Sequence, residues 1–111
     1  MKNWLVTVII LLTLNANAQQ KKYEIACVGF YNLENFYDTI DDPKTDDAEF
    51  LPNGDHLYNT AVYRDKLSKL SDVVSLIGTD DSPDGVDILG VAEVENDKVL
   101  EDLVAQPKLK D

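Results

Sequence analysis

From Tyr23 to Asn32 the chain reads YEIACVGFYN, a run of β-branched and aromatic residues with one charge in it. Apolar residues at both alternating positions predict a strand buried on both faces. Val86 to Ala92, VDILGVA, is a second such run. Between them the period changes. In NTAVYRDKLSKLSDVVSLIG, Tyr63, Leu67, Leu70, Val74 and Ile77 recur at steps of four, three, four and three. That spacing lines them along one side of a helix, with Arg64, Asp65, Lys69 and Asp72 off the stripe. Thr60 is placed to cap its start and Gly78 its end. Asn96 is placed to cap a second helix, whose apolar face is Val99, Leu100, Leu103 and Val104, and Pro107 ends it.

The predicted order is therefore β–α–β–α. Two near-continuous apolar strands joined through an amphipathic helix imply a parallel pair with a right-handed crossover. Parallel strands end on the same edge. Asn32 closes the first strand and Glu93 follows the second, so the two are expected to meet there, where open α/β sheets place their sites. The connection from Asp38 to His56 is polar and punctuated by Pro43, Pro52 and Asn53-Gly54, which predicts a long surface loop. Loops of that length often border binding sites.

Composition narrows this picture. A formal net charge of −11 opposes unassisted binding to nucleic acid or anionic lipid. A phosphate ester is still accessible if divalent cations bridge the two. The first 18 residues do not read as part of the fold. Lys2 precedes an apolar run from Trp4 to Leu14, and Ala16-Asn17-Ala18 matches a leader cleavage signal. The run is too short to span a bilayer comfortably. Residues 1–18 are thus expected to be a signal peptide and 19–111 the mature, secreted or periplasmic domain, with no stable membrane anchor after cleavage. An intact mass beginning at Gln19 checks this. Cys27, the single cysteine, cannot form an internal disulfide and reads as a buried structural thiol. One histidine and one cysteine cannot assemble a His/Cys zinc site.

A glutamate at a strand's carboxyl end beside an asparagine suits a hard cation. Mg²⁺ is often held by one or two carboxylates, with water and substrate phosphate completing its oxygen shell. The plainer alternative is that Glu93 is a solvated strand-end acid and Asn32 caps a turn. Other candidates are weaker. Asp80, Ser82, Asp84 and Gly85 echo a calcium loop, but its last ligand position holds Val91, so DDSPDG reads as a turn. The acids from Asp41 to Glu49 lack ligand spacing and read as a solvated loop, and Glu95 reads as one more exposed acid. A lone loop histidine such as His56 is more often a bystander than a base.

VGFYNLENFYD followed by DILGVAEVEN resembles the opening of the endonuclease/exonuclease/phosphatase superfamily, closest to secreted bacterial members. The resemblance spans residues 24–105. It implies an α/β fold, the β-α-β-α amino-terminal part of a DNase I-like four-layer α/β sandwich. It implies Asn32 as a residue that orients the site and contacts the scissile phosphate or a metal-bound water, and Glu93 as a principal Mg²⁺ or Mn²⁺ ligand. Glu34, two residues past Asn32, is where some members place a group near the metal. Substrates in the superfamily are phosphate esters: nucleic acid, nucleotides or phospholipid head groups. The family's second half supplies an Asp/Asn pair and a terminal Asp-His that activates water, and none of those motifs matches here. The expectation is a fragment of a metal-dependent phosphoesterase, inactive alone. The alternative is a non-enzymatic exported α/β interaction module.

Overall fold

The computed structural model describes residues 22–110, so the signal-peptide expectation lies outside the described residues. The elements are strand β1 (Val28–Phe36), a 3₁₀ turn (Ala48–Phe50), helix α1 (Thr60–Val74), strand β2 (Ile88–Val94) and helix α2 (Asp97–Val104). The β–α–β–α order is thus the observed one. The strands pair in parallel, in continuous register from Val28 opposite Ile88 to Asn32 opposite Ala92.

Helix α1 buries Tyr63, Leu67, Leu70 and Val74, four of the five predicted stripe residues. Ile77 falls in the turn beyond the helix and is half-buried. The N-cap is Asn59 rather than Thr60. Its side-chain oxygen accepts from the Ala61 and Val62 amides, at 2.9 and 3.2 Å, which leaves Thr60 as the first helical residue. At the other end the helix stops at Ser75, not Gly78. Gly78 serves the following turn, where φ is +81° and a Cβ would run into the Cys27 sulfur. Asn96 caps α2 as predicted, its side chain accepting from the Val99 amide at 3.1 Å. Val99 and Leu103 of α2 are buried, Leu100 is half-buried, and Val104 faces out.

Two expectations for β1 are corrected. The strand starts at Val28, not Tyr23, and continues to Phe36, well past Asn32. Nor is it buried on both faces: Val28 and Phe30 are 70% and 71% exposed. Its described pairing partner is β2 alone, so the apolar start of β1 lacks cover among the described residues. The core forms at the strand's far end instead. Leu33 and Phe36 are fully buried there against α1 and α2, with Tyr58 closing one side. Phe36 stacks on Tyr63 with ring centroids 5.9 Å apart. Cys27 is half-buried rather than buried, a free thiol just ahead of β1.

The long loop is more organised than predicted. Tyr37 stacks on Phe50 at 4.4 Å, and Phe50 also packs on His56 and Tyr58. Asp47 is buried, at 3% exposure, because its carboxylate accepts the Asp42 amide at 3.0 Å and so satisfies the loop's own backbone. Among the described residues no helix is long and apolar enough to cross a membrane.

Candidate active site

Past Asn32 the strand pairing breaks. Asn32 opposes Ala92, and the next pair is Phe36 with Val94. Leu33, Glu34 and Asn35 therefore face Glu93 alone. Three of these four residues have left-handed backbone: Glu34 at φ +51°, Asn35 at +54° and Glu93 at +57°. Each such conformation costs about 1–2 kcal/mol for an L-residue, somewhat less for asparagine. The kink has two effects. It lets Leu33 and Phe36, three apart, both reach the core, which a regular two-residue repeat forbids. It also turns the intervening polar groups outward at the carboxyl edge of both strands.

There Asn32 and Glu93 meet. The Asn32 amide donates from Nδ2 to Glu93 Oε1 at 2.9 Å. The other carboxylate oxygen, Oε2, accepts from the Asn35 backbone N–H at 3.1 Å. Asn32 Oδ1 accepts from the Glu34 backbone N–H at 2.8 Å, which fixes which way its amide faces. Both oxygens of Glu93 are thus oriented by the same turn, and Asn32, Glu34, Asn35 and Glu93 all remain exposed to solvent. Each carboxylate oxygen retains a lone pair for a further partner.

Lys66 completes the arrangement and was missed in the sequence. Its Nζ donates to the backbone carbonyls of Glu34 and Asn35, the latter at 3.0 Å. Burial pulls this ammonium below the ordinary lysine value, while Glu34 and Glu93 push the other way. The available signal was helical phase. Lys66 lies three residues after Tyr63 and four before Leu70, so it borders the buried stripe and faces the same side of the molecule.

Glu95 is not the exposed acid expected from the sequence. It is half-buried, and its Oε2 accepts from the Asp38 amide at 2.8 Å. Its Oε1 and the nearby Tyr58 hydroxyl are buried without a hydrogen-bond partner among the described residues. Burial raises the Glu95 pKa; the Asp38 amide opposes this, and Asp38, Asp47 and Asp42 add to it. Burial, then the charges of Asp38 and Glu95, push the Tyr58 phenol up to about 12. A carboxyl with a raised folded-state pKa contributes stability that is complete below its unfolded pKa and lost as pH rises through the folded value. Glu95→Gln removes that titration. Its Tm relative to wild type is therefore expected to climb from about pH 4.3 upward and then level off. A pH-independent difference in thermal melts would refute this reading of Glu95.

His56 lies in the loop, away from the Asn32–Glu93 hydrogen bonds. It pairs with Glu49 at 3.6 Å and packs on Phe50. The 80–85 segment is a turn, as predicted. Among the described residues no three His, Cys, Asp or Glu side chains converge into a cage for a metal. The donors at the carboxyl edge are one placed carboxylate, a second exposed carboxylate and an amide. This set of hard oxygens suits a cation that keeps much of its water and takes substrate oxygens, as Mg²⁺ does, rather than one held by protein alone.

Comparison with known proteins bears on the family of the chain. The sequence model of the Endonuclease/Exonuclease/phosphatase family matches residues 27–111, which includes both strands and both helices. No curated protein and no solved structure matches the chain.

Proposed function

The chain belongs to the endonuclease/exonuclease/phosphatase family, and from that premise we propose that residues 27–111 carry the metal- and phosphate-binding part of a Mg²⁺- or Mn²⁺-dependent phosphoesterase. The observation that carries the reading is the hydrogen-bonded Asn32–Glu93 pair at the carboxyl edge of two parallel strands. Glu93 would hold the cation, with Glu34 as a secondary ligand. A bound divalent cation supplies charge stabilisation for phosphoryl oxygens. Asn32 holds the Glu93 carboxylate in one orientation and offers amide hydrogen-bonding capacity to a phosphate beside it. The strain of three left-handed residues fits a turn kept for function, since such strain persists only where its surroundings enforce it.

Activating the attacking water needs a base. The sequence holds one histidine, His56, and it lies in the loop against Glu49 and Phe50, not among the residues gathered at the Asn32–Glu93 edge. In this reading the residues at the Asn32–Glu93 edge supply cation and phosphate binding rather than water activation, and residues 27–111 are expected not to hydrolyse substrate by themselves. Candidate substrates are nucleotides, phospholipid head groups and nucleic acid, with the −11 charge weighing against long nucleic acid. The test compares residues 19–111 with the product of the gene's complete reading frame on an aryl phosphodiester. The complete product is expected to hydrolyse it with Mg²⁺, lose activity in EDTA and regain it on adding Mg²⁺, while 19–111 stays inactive. A metal-independent hydrolase, or full activity in 19–111 alone, would contradict the proposal.

A further inference from the structure

We infer that Lys66 is the positioning residue of the Glu93 carboxylate, acting from helix α1 through the main chain of the kinked turn. This rests on the reading of Glu93 as a metal ligand. The turn that orients Glu93 contains two adjacent left-handed residues, Glu34 and Asn35, whose conformation is unfavourable by itself. Their carbonyls are the two groups that the Lys66 ammonium binds. The Asn35 N–H donates to Glu93 Oε2, and the Glu34 N–H donates to Asn32, which donates to Glu93 Oε1. Each peptide that Lys66 grips on its carbonyl side thus belongs to a residue whose N–H leads to Glu93, directly or through one amide.

Lys66 can carry this load because its own position is fixed. It sits between Tyr63 and Leu67, both buried, on a helix packed into the core. A charge-assisted bond to a carbonyl is about twice as strong as a neutral one, and two from one ammonium oppose reversion of the turn to regular strand. In that reversion the extra residues of β1 would have to leave the bulge, and the Asn35 N–H would swing off the carboxylate. Lys66 touches neither Glu93 nor a substrate position through any of these bonds, so it works through the turn.

Sign separates this role from a simple charge effect. Removing a cation near a metal site strengthens metal binding by electrostatics alone. Loss of a positioning residue weakens it, by about 10–100-fold when the partners that orient a ligand are removed. The measurements use the full chain, residues 1–111. In Lys66→Met, hydrogen exchange at the Asn35 amide is expected to accelerate at least tenfold while the Leu70 amide on α1 keeps its protection. Lys66→Arg, which retains the charge and donors, is expected to restore Asn35 protection. On the same samples Mn²⁺ titration should show weaker binding for Lys66→Met and near-native binding for Lys66→Arg. Unchanged Asn35 protection, or Mn²⁺ binding that tightens in Lys66→Met, would overturn the inference. If the wild-type chain takes up no Mn²⁺, the metal reading of Glu93 fails, and the exchange data still decide whether Lys66 holds the turn.

Discussion

Replacing Glu93 by Gln is expected to lower hydrolysis by the Mg²⁺-dependent phosphoesterase proposed above about 100-fold or more, since even residues that only orient a metal ligand are worth about 10–100-fold. Gln keeps the length and shape of the side chain and can still accept from Asn32 through its carbonyl oxygen. What it loses is the negative charge and the acceptor for the Asn35 amide. The thermal midpoint should fall by only a few degrees, because Glu93 is exposed and the lost bond is worth about 1 kcal/mol. Raising Mg²⁺ should recover part of the activity, since a weakened site is filled by mass action. Glu95 is not a usable control, being half-buried and bonded to Asp38. Asp81, exposed in the turn after α1, gives the same charge change when replaced by Asn and should be silent. Equal, small effects of Glu93→Gln and Asp81→Asn would make Glu93 one more solvated acid.

The largest effect on folding is expected at Phe36. Its side chain is fully buried, stacked on Tyr63 and packed among the residues of both helices. Phe36→Ala should cost about 3–5 kcal/mol from lost burial and the cavity left behind. Stabilities of small domains are about 5–15 kcal/mol, so much of the chain's margin would go. Phe30, six residues earlier on the same strand, is 71% exposed and supplies the contrast. Phe30→Ala should cost less than about 1 kcal/mol. Urea midpoints followed by far-ultraviolet circular dichroism give both numbers. A similar loss at the two positions would show that the start of β1 is covered in solution and that the core is not where the structure puts it.

The contrast between those two phenylalanines also marks what the residue pattern could convey. Helix α1 was legible because one stripe of Tyr63, Leu67, Leu70 and Val74 has a single helical solution. Asn96 was legible as a cap because it stands directly before an apolar helical face. The meeting of Asn32 and Glu93 was legible from the parallel β–α–β order, although Asn32 lies before the kink inside β1 and not at the strand's end. The end of β1 was not legible. Asn32-Leu33-Glu34-Asn35 breaks the alternation that marks a strand, and the break is the kink itself, made of left-handed residues that no periodicity announces. Asn59 was passed over as a cap because Thr60 beside it is also a capping type, and the choice depends on which side chain reaches the Ala61 and Val62 amides. Glu95 read as exposed because it follows Glu93 in an acid-rich run. Its burial comes from Asp38 and Tyr58, remote in sequence. The family resemblance of the two motifs agrees with the match over residues 27–111. Lys66 lies between the two motifs; its helical phase beside the stripe was the signal for it, while its partners, the Glu34 and Asn35 carbonyls, show only in the turn.

If Glu93 holds a cation as proposed, the ion sits at the Asn32–Glu93 edge and not in the acidic loop. Substoichiometric Mn²⁺ added to ¹⁵N-labelled chain tests it directly, because the paramagnetic ion broadens nearby amide signals first. The amides of Asn32, Glu34, Asn35 and Glu93 are expected to disappear before any others, with Asp42, Asp47 and His56 keeping their intensity, and Glu93→Gln should abolish the pattern. Broadening centred on the loop from Asp41 to Glu49, with the Glu93 edge untouched, would contradict the account.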